Sequence, residues 1–322
     1  MKILDLFCGA GGASLGIHRA GHDVHGFDFW PVAVETHNDN GLPATVLDLS
    51  VDDPPHPGEP FAMWASPPCQ PFSAAGGGAG EFDDRDGFPW LLRIVGNLRP
   101  DVVFVENVKG LTFETHRDYF SSVLASLHDL GYEVAWRVLN AADCGVPQTR
   151  ERCIIVARRD GDRIAWPMPT HTEREGMFTR RWVTMAEALG WGMTGRPFPT
   201  IPAREDGGGP RMDGVGGTGA RRALYAERDA GDWTLARPAT TINGDPRVSA
   251  PGHHDPAVSE SQQADAIRLT IAELATLQGF PHGWTWCGTK TAQAKQIGNA
   301  VPPALAEAIV RANLPAIAER AA

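Results

Sequence analysis

The stretch KILDLFCGAGG, residues 2–12, determines the expected architecture of the first half of this 322-residue chain. Its apolar beginning indicates a short buried strand, and the glycines that follow predict a tight turn into a helix over residues 12–21. Glycines in such a turn let backbone amides approach a ligand at the positive end of the helix. Because the spacing departs from Gly-x-Gly-x-x-Gly, the turn by itself indicates only a strand-to-helix connection.

Short apolar runs alternate with amphipathic segments throughout residues 1–160. This alternation predicts a mostly parallel α/β sheet that is covered by helices on both faces. Ligands of such sheets bind at the carboxyl ends of the strands, so the residues there are the first candidates for a site. The predicted strands are residues 2–7, 24–28, 44–49, 61–66, 101–108, 133–139 and 152–158.

The amino-acid composition changes near residue 160, after which Gly, Pro, Arg and Trp are frequent and hydrophobic periodicity is weak. This change predicts a smaller loop-rich domain or, in part, a flexible insert. Order returns at the capping box Thr270-Ile-Ala-Glu273, which predicts a helix, and a last helical stretch begins near Pro303. The predicted segments are residues 1–160, 161–265 and 266–322.

Bulk composition narrows the class of protein. No apolar run approaches the ~18 to 20 residues of a membrane span, and no signal-peptide pattern follows Met1, so we expect a cytoplasmic protein without membrane contact. The five cysteines are scattered and include no Cys-x-x-Cys pair, which disfavours a disulfide framework and a zinc site. We expect free thiols and no metal.

The net charge of −10 disfavours a polyanionic partner only if it is evenly distributed. Residues 1–160 hold 12 Lys and Arg against 22 Asp and Glu, whereas residues 161–322 hold 17 of each kind, so the excess acid lies in the first half. Arginine, which suits phosphates and guanine edges, dominates the basic residues of the second half. A solvated surface rich in Arg and Glu explains this composition equally well.

Two acids follow successive strands. Asp28 ends the second predicted strand and Asp48 ends the third. An acid in such a position can hold ribose hydroxyls or accept a hydrogen bond from an adenine amino group. Each alone is more often a turn or cap residue, but together they indicate an adenosine-containing cofactor.

The sequence SPPCQPFS, residues 66–73, places Cys69 in a proline-braced turn ahead of the loose run AAGGGAG. A lone cysteine is usually inert core, but a polar turn at the carboxyl end of a strand is a position for a nucleophile. Glu106 reaches the same sheet edge from an apolar strand, where burial favours a protonated acid. Arg150 and Arg152 share one face where the last strand of this half opens, although a surface salt-bridge pair explains that pattern too.

In this order the motifs resemble those of the cytosine carbon-5 DNA methyltransferases, which use S-adenosylmethionine. Pro-Pro-Cys separates the chain from the adenine and exocyclic-nitrogen methyltransferases, which have Pro-Pro-Tyr or Pro-Pro-Trp at this turn. The resemblance implies a Rossmann-like methyltransferase domain and a smaller, loop-rich target-recognition domain. The matching segments are DLFCGAGGASLG (5–16), PPCQPFS (67–73), DDRDGFPWLLRIV (83–95), ENV (106–108), LNAADCGVPQTRER (139–152), RLTIAELATLQGFP (268–281) and QIGNAVPP (296–303).

The resemblance implies a catalytic role for four residues. Cys69 adds to carbon 6 of cytosine, Glu106 acts on ring nitrogen 3, Arg152 holds the carbonyl oxygen at position 2, and Arg150 contacts a phosphate or the loop. The target carbon is inaccessible in a stacked duplex, so the base must be flipped out at a cost of a few kcal/mol. The glycines of AAGGGAG then suit a lid that closes over the flipped base.

A pocket for S-adenosylmethionine, which leaves as S-adenosylhomocysteine, is implied in the same way. Phe7 and the glycine turn hold its adenosyl and methionine parts, Asp28 the ribose, Phe29 the adenine face and Asp48 the adenine amino group. The C-terminal segment returns to the first domain to complete this pocket. The residues assigned to the cofactor are Asp5, Phe7, Gly9, Ala10, Gly11, Asp28, Phe29, Asp48, Leu49, Pro68, Asn299 and Val301.

Double-stranded DNA is the implied partner of a monomeric, nucleoid-associated enzyme, and a cognate restriction endonuclease is a further candidate partner. Sequence choice is assigned to about residues 160–265. Thr241 resembles the family's Thr-aliphatic signature and is expected near the flipped base, with a plain strand as the alternative. The residues assigned to DNA are Gln70, Ser73, Arg180, Arg181, Arg221, Arg222 and Thr241.

Three other functions remain open at this point. A branch of the same family methylates cytosine in transfer RNA with the same catalytic groups, although the sizeable Gly/Arg segment favours DNA. A non-catalytic DNA-binding relative is disfavoured by the intact Cys69, Glu106, Arg150 and Arg152. A variant donor that leaves a larger group on cytosine fits the sequence as well.

Overall fold

The computed structural model describes residues 1–58, 61–68, 86–190, 238–239, 241–242, 247–248 and 267–314. A seven-stranded sheet forms its centre, and six of the seven predicted strands lie within one residue of their predicted ends. The strands are β1 (Lys2–Leu6), β2 (Asp23–Asp28), β3 (Ala44–Val46), β4 (Phe61–Ala65), β5 (Val102–Val108), β6 (Glu133–Asn140) and β7 (Glu151–Arg158).

The sheet is mostly parallel, which confirms the predicted fold class. Its strand order is β3-β2-β1-β4-β5-β7-β6, and β7 runs antiparallel to both of its neighbours. The chain winds outward in both directions from β1 and β4, so the order reverses between these two strands. A crevice forms at the carboxyl ends of the strands at such a reversal, and ligands bind there.

Helices cover both faces of this sheet. The capping box at Thr270 and Glu273 has both of its hydrogen bonds, which confirms the predicted helix start. Among the described residues, no helix is long and apolar enough to span a membrane. The helices are α1 (Gly12–Arg19), α2 (Pro31–Asp39), α3 (Phe88–Leu98), α4 (Arg117–Asp129), α5 (Met185–Leu189), α6 (Ile271–Gln278), α7 (Lys290–Asn299) and α8 (Pro303–Asn313).

Short elements complete the description. Within the described residues, 3₁₀ helices span Lys109–Thr112, Glu114–His116 and Ala141–Cys144. Two pairs of two-residue strands lie outside the main sheet, one parallel and one antiparallel. They are β8 (His171–Thr172) with β9 (Arg180–Arg181), and β10 (Arg247–Val248) with β11 (Ile267–Arg268).

Two hydrophobic cores lie on opposite faces of the sheet. On β4, Phe61 and Met63 face the core that α3 and α4 cover, whereas Ala62 and Trp64 face the core that α1 and α8 cover. All four side chains are fully buried. A strand that is buried on both faces is apolar at every position, which explains why FAMWA shows no alternation.

The C-terminal helix packs against the first helix. A Cβ added at Gly16 would lie 2.4 Å from the carbonyl oxygen of Pro303, and one added at Gly12 would lie 2.2 Å from that of Val301. These two glycines therefore admit the backbone that leads into α8. Their contact brings the end of the chain to the carboxyl end of β1.

Candidate active site

A cavity of about 560 Å³ lies at the carboxyl ends of β1, β2, β4 and β5, next to the reversal in strand order. Residues from both ends of the chain line it, and most of the residues predicted for catalysis and for the cofactor meet there. The predicted residues that line the cavity are Asp5, Phe7, Gly9, Asp28, Phe29, Pro68, Glu106, Arg150, Arg152, Thr241, Asn299 and Val301.

Asp28 holds the glycine turn that follows β1. Its carboxylate accepts hydrogen bonds from the amide of Gly9 at 2.8 Å and from the amide of Trp30 at 2.9 Å. Phe7 and Gly9 adopt left-handed φ angles of 58° and 50°, a conformation that is uncommon for a residue with a bulky side chain. Burial raises the pKa of Asp28. Asp28, at the end of β2, therefore fixes the turn that follows β1, and its carboxyl group also lines the cavity.

Aromatic side chains form one rim of the cavity. The ring of Phe29 is 67% exposed and offers a flat apolar surface to a ligand. The neighbouring Trp30 ring carries the ammonium group of Lys295 at 5.3 Å from its centroid, a cation–π contact between opposite ends of the chain. Ala10 and Gly11, which were assigned to the cofactor, do not line the cavity.

Asp48 differs from its predicted position at a strand end. β3 ends at Val46, and the exposed Asp48 accepts hydrogen bonds from the amide and the hydroxyl of Ser50 at 3.0 and 2.6 Å. These bonds lower the pKa of Asp48. They form an Asx turn, which competes with continuation of the strand. Neither Asp48 nor the buried Leu49 lines the cavity, so their contacts with adenine remain a prediction.

Glu106 and Arg152 form the polar floor of the opposite half of the cavity. In the β5–β7 ladder Glu106 is opposite Ile154 and Arg152 is opposite Val108, so the two side chains are diagonal neighbours on one face. Oε1 of Glu106 lies 2.9 Å from Nε of Arg152, and both side chains are largely buried. The expectation of a protonated acid considered burial alone. The structure adds a cation that offsets the cost of burying the carboxylate.

Arg150 lies at a junction between distant chain segments, and its predicted contact with a phosphate or with the loop stays a prediction. Its guanidinium is buried and donates hydrogen bonds to the carbonyl oxygens of Ile242 at 2.9 Å, Gly298 at 3.0 Å and Ala300 at 3.2 Å. A guanidinium presents several donors in a fixed fork, which suits converging carbonyl groups. Arg150 therefore holds two chain segments, at Ile242 and at residues 298–300, beside the cavity.

Gln148 completes this junction and was not predicted as a site residue. Its side-chain oxygen accepts from the amide of Ile242 at 3.0 Å, and its nitrogen donates to the side chain of Gln278 at 2.6 Å. Thr241 donates its hydroxyl hydrogen to the carbonyl of Thr149 at 3.1 Å. Residues 241–242 are thereby attached to the catalytic sheet beside the cavity.

The turn that leads into Cys69 is braced from two sides. Asn107 donates to the carbonyl of Pro67 at 3.3 Å, and the amide of Gly87 donates to the carbonyl of Pro68 at 3.3 Å. A Cβ at Gly87 would lie 2.6 Å from Cδ of Pro68, so only glycine fits against this proline. Several predicted residues lie outside the described part of the chain: Cys69, Gln70, Ser73, Arg221 and Arg222.

A family model described as C-5 cytosine-specific DNA methylase matches residues 1–187 and 216–314. The chain belongs to this family. The match confirms the predicted enzyme class, a DNA cytosine-5 methyltransferase. It also leaves unmatched only a short internal segment and the last residues of the chain.

Individual relatives of this methyltransferase agree with the family match. The chain is 33% identical to the type II methyltransferase M1.HphI of Haemophilus parahaemolyticus, over 98% of this chain and 87% of the relative. It is 32% identical to the type II methyltransferase M.AplI of Arthrospira platensis, over 97% of this chain and 85% of the relative. The solved structure of the S. pombe Dnmt2 methyltransferase has the same fold, with a TM-score of 0.61 and 17% identity over 97% of both chains.

The remaining predicted DNA contacts of the methyltransferase lie away from the cavity. Arg180 and Arg181 form the exposed strand β9, and Arg181 is paired with Glu187 at 3.0 Å. No cluster of three or more His, Cys, Asp and Glu side chains suited to a metal occurs in the part of the chain that the structure describes. Sequence analysis missed Trp30, Gln148, Lys295 and Gln296, because their roles depend on contacts between distant segments.

Proposed function

We propose that this methyltransferase transfers a methyl group from S-adenosylmethionine to carbon 5 of a flipped-out cytosine in duplex DNA, through a transient bond between Cys69 and carbon 6. One observation carries the proposal. A single cavity joins the rim formed by Asp28 and Phe29 to the ion pair of Glu106 and Arg152, and the turn at its wall leads directly into Cys69.

The residues present fit S-adenosylmethionine. The cavity volume falls within the roughly 300–1,000 Å³ of small-molecule sites. Phe29 offers a ring face for adenine, and two buried acceptors without partners among the described residues, Asp5 Oδ1 and Gln296 Oε1, belong to residues that line the cavity. Such acceptors suit the hydroxyl and ammonium hydrogens of this cofactor. The bound cofactor supplies an electrophilic methyl group.

Cys69 is the thiol best suited to be the nucleophile. Burial and the charges of Asp5 and Asp28 raise the pKa of the nearby Cys8, and burial raises the pKa of Cys153 to about 12. Both are therefore held as neutral thiols, which are poor nucleophiles. The thiolate of Cys69 would form a bond to carbon 6, which would make carbon 5 nucleophilic toward the methyl group that the bound cofactor would supply. A base would then remove the proton from carbon 5, the 5,6 double bond would form again, and the sulfur would leave as a thiolate.

Glu106 and Arg152 stabilise the ring while the sulfur is attached. Addition at carbon 6 increases the electron density at ring nitrogen 3 and at the oxygen of carbon 2. Glu106 takes up a proton, passes it to nitrogen 3 as the sulfur adds and takes it back when the sulfur leaves, while the Arg152 guanidinium neutralises the charge that develops on the oxygen. Because the two side chains already form one buried pair, little reorganisation is needed when the base enters.

A duplex that carries 5-fluorocytosine at the target position tests the covalent step. Fluorine at carbon 5 prevents the final elimination, so protein and DNA should remain linked in a denaturing gel. Cys69→Ala should abolish both the adduct and methylation, whereas Cys287→Ala, which alters a thiol that does not line the cavity, should preserve both. Methylation of normal DNA without any trapped adduct contradicts the covalent mechanism.

Direct assays test two alternatives, transfer RNA as the substrate and a variant donor cofactor. The family match favours DNA over transfer RNA, so duplex DNA should accept methyl groups and transfer RNA should not. Mass spectrometry of the product nucleoside should give the mass of 5-methylcytosine. A heavier adduct identifies a variant donor cofactor.

We further propose that residues 161–265 choose the DNA sequence and that the enzyme protects DNA from a cognate restriction endonuclease. The relatives named as type II methyltransferases support the second point. Grafting residues 161–265 into a relative of known specificity and mapping methylated cytosines tests the first. A graft that keeps the specificity of the recipient assigns recognition to the catalytic domain instead.

A further inference from the structure

A buried chain of hydrogen bonds lies behind the cavity and is not used by the mechanism above. The hydroxyl of Ser14 on α1 lies 2.6 Å from Oδ2 of Asp5 on β1, and 2.9 Å from Nε2 of His37 on α2. Nδ1 of His37 lies 2.9 Å from the carbonyl oxygen of Leu42. Asp5, Ser14 and His37 are each fully buried.

The fold leaves a slot that fits the imidazole ring of His37. A Cβ at Gly11 would lie 2.9 Å from Cδ2 of His37, and a Cβ at Gly26 would lie 2.9 Å from its Nε2. Two glycines on different elements therefore flank the ring. This geometry fixes which nitrogen faces Ser14 and which faces the backbone.

The number of hydrogens in this chain of hydrogen bonds limits the protonation states of Asp5 and His37. A carbonyl can only accept, so Nδ1 of His37 carries a hydrogen. The two contacts from Asp5 to Ser14 and from Ser14 to His37 need two hydrogens, and the Ser14 hydroxyl supplies only one. The second comes from Asp5 as a neutral acid or from His37 as an imidazolium.

The surroundings favour the neutral acid. Burial raises the pKa of Asp5 to about 7, against the hydrogen bond from Ser14 and with a smaller contribution from the charge of Asp28, and burial lowers the pKa of His37 to about 4. The other titratable groups around them are Cys8 in the glycine turn and His25 on β2. Neither supplies a positive charge that would stabilise an ionised Asp5, because Cys8 is a neutral thiol and burial lowers the pKa of His25.

We propose that His37 is a positioning residue that engages the Ser14 hydroxyl and so holds Asp5 as a neutral acid, and that entry of a cationic ligand into the cavity drives the Asp5 proton out. Asp5 lines the cavity, and its second oxygen, Oδ1, is buried without a hydrogen-bond partner among the described residues. The ligand relevant here, S-adenosylmethionine, carries a sulfonium and an ammonium group, so this inference rests on the proposed function. Because an ionised Asp5 attracts these charges, binding and proton release are linked.

Titration calorimetry of S-adenosylmethionine in buffers of different ionisation enthalpy measures this linkage. Close to one proton should be released per cofactor near pH 6, and the release should fall toward zero by pH 8. Asp5→Asn should abolish the release, whereas Asp28→Asn should weaken binding and keep it. Cofactor binding without proton exchange overturns the inference and leaves the proposed function intact. No binding in any protein at any pH overturns the proposed function.

Two variants should shift the release in opposite directions. In His37→Gln the amide can donate to Ser14, which frees the serine hydroxyl for an ionised Asp5, so the pH midpoint should fall by about one unit. In Ser14→Ala an ionised Asp5 loses its donor, so the midpoint should rise by about one unit. His25→Gln changes a neighbouring histidine outside the chain of bonds and should leave the midpoint unchanged. Shifts of the same sign in both variants contradict the proposed action of His37 on Asp5 through Ser14.

The protonation state of His37 can be measured in the protein without cofactor. Long-range ¹⁵N correlation spectra of the ligand-free protein, with the His37 signals identified by their loss in His37→Gln, should show a neutral ring protonated at Nδ1 from pH 5.5 to 8. An imidazolium or an Nε2-protonated ring in this range overturns the proposal. This readout does not depend on how well the Asp5 and Ser14 variants fold.

Discussion

Glu106 and Arg152 are joined across the boundary between the parallel and antiparallel parts of the sheet, with Oε1 2.9 Å from Nε. The reversal of β7 creates this contact, because the antiparallel register makes the two side chains diagonal neighbours at the cavity. A parallel seventh strand would present its other end there. The direction of one strand therefore decides which two charges meet at the site.

Replacing Glu106 with glutamine should slow methyl transfer and leave cofactor binding almost unchanged. The substitution keeps the shape of the side chain but removes its capacity to exchange a proton with the ring, and general acid–base groups contribute about 10²–10⁴-fold. Single-turnover assays and calorimetry give the two quantities. Glu151→Gln is the matched control, because it changes an exposed glutamate on the neighbouring strand β7, where it pairs with Lys109. A collapse of cofactor affinity in Glu106→Gln would assign this residue to the wrong part of the cavity.

Arg152→Met should destabilise the fold, since it leaves the Glu106 carboxylate buried without its cation. Breaking one side of a buried ion pair costs about 3–5 kcal/mol. Urea unfolding of Arg152→Met, Glu106→Gln and the double variant measures the coupling. The double variant should be less destabilised than the sum of the single ones. Strict additivity contradicts an energetic role for the pair.

Arg150→Lys should loosen the junction between Ile242, Gly298 and Ala300. A lysine ammonium cannot reproduce the fork of the guanidinium, and each lost bond to a charged donor costs about 1.5–3 kcal/mol. We expect lower stability and weaker S-adenosylmethionine binding. The salt dependence of DNA binding should not change. A phosphate contact predicts the reverse, a salt slope reduced by about one with normal cofactor affinity.

Asp28→Ala should weaken S-adenosylmethionine binding by about 1–3 kcal/mol. The side chain lines the cavity and also holds the amide of Gly9, so its removal loosens the glycine turn as well. Asp48→Ala is the matched comparison. Because Asp48 is exposed and bonded to Ser50, its effect should be smaller. Equal losses in the two variants indicate that the turn after β3 moves onto the cofactor.

Asp5→Asn should gain stability relative to the wild type as the pH rises. Burial raises the pKa of Asp5 from its ordinary value of 3.8 to about 7, so its stabilising contribution is complete below pH 3.8 and is lost as the pH rises through 7. Asparagine mimics the neutral acid and does not titrate. The difference in unfolding free energy, variant minus wild type, should therefore increase by about 4 kcal/mol between pH 4 and pH 8. A difference that is constant with pH contradicts a raised pKa in the folded state.

The sequence by itself determined the strands, their order along the chain and the family. Apolar runs such as FAMWA and VVFVENV are strands in almost any surroundings because they are buried on both faces. Residues whose role depends on the end of their own strand, such as Asp28 and Glu106, were also found. The place of each residue along its strand follows from the predicted bounds of that strand.

Only the tertiary structure decided which partners these residues meet. The sequence predicted that Arg150 and Arg152 share a face, but it did not indicate that one binds three carbonyl groups from distant segments while the other pairs with Glu106. Likewise, Ser14 and His37 carry no motif signal, and they meet Asp5 only because two glycines let three elements approach closely. Contacts between residues far apart in sequence are set by packing and by strand direction, and neither is encoded in a local pattern.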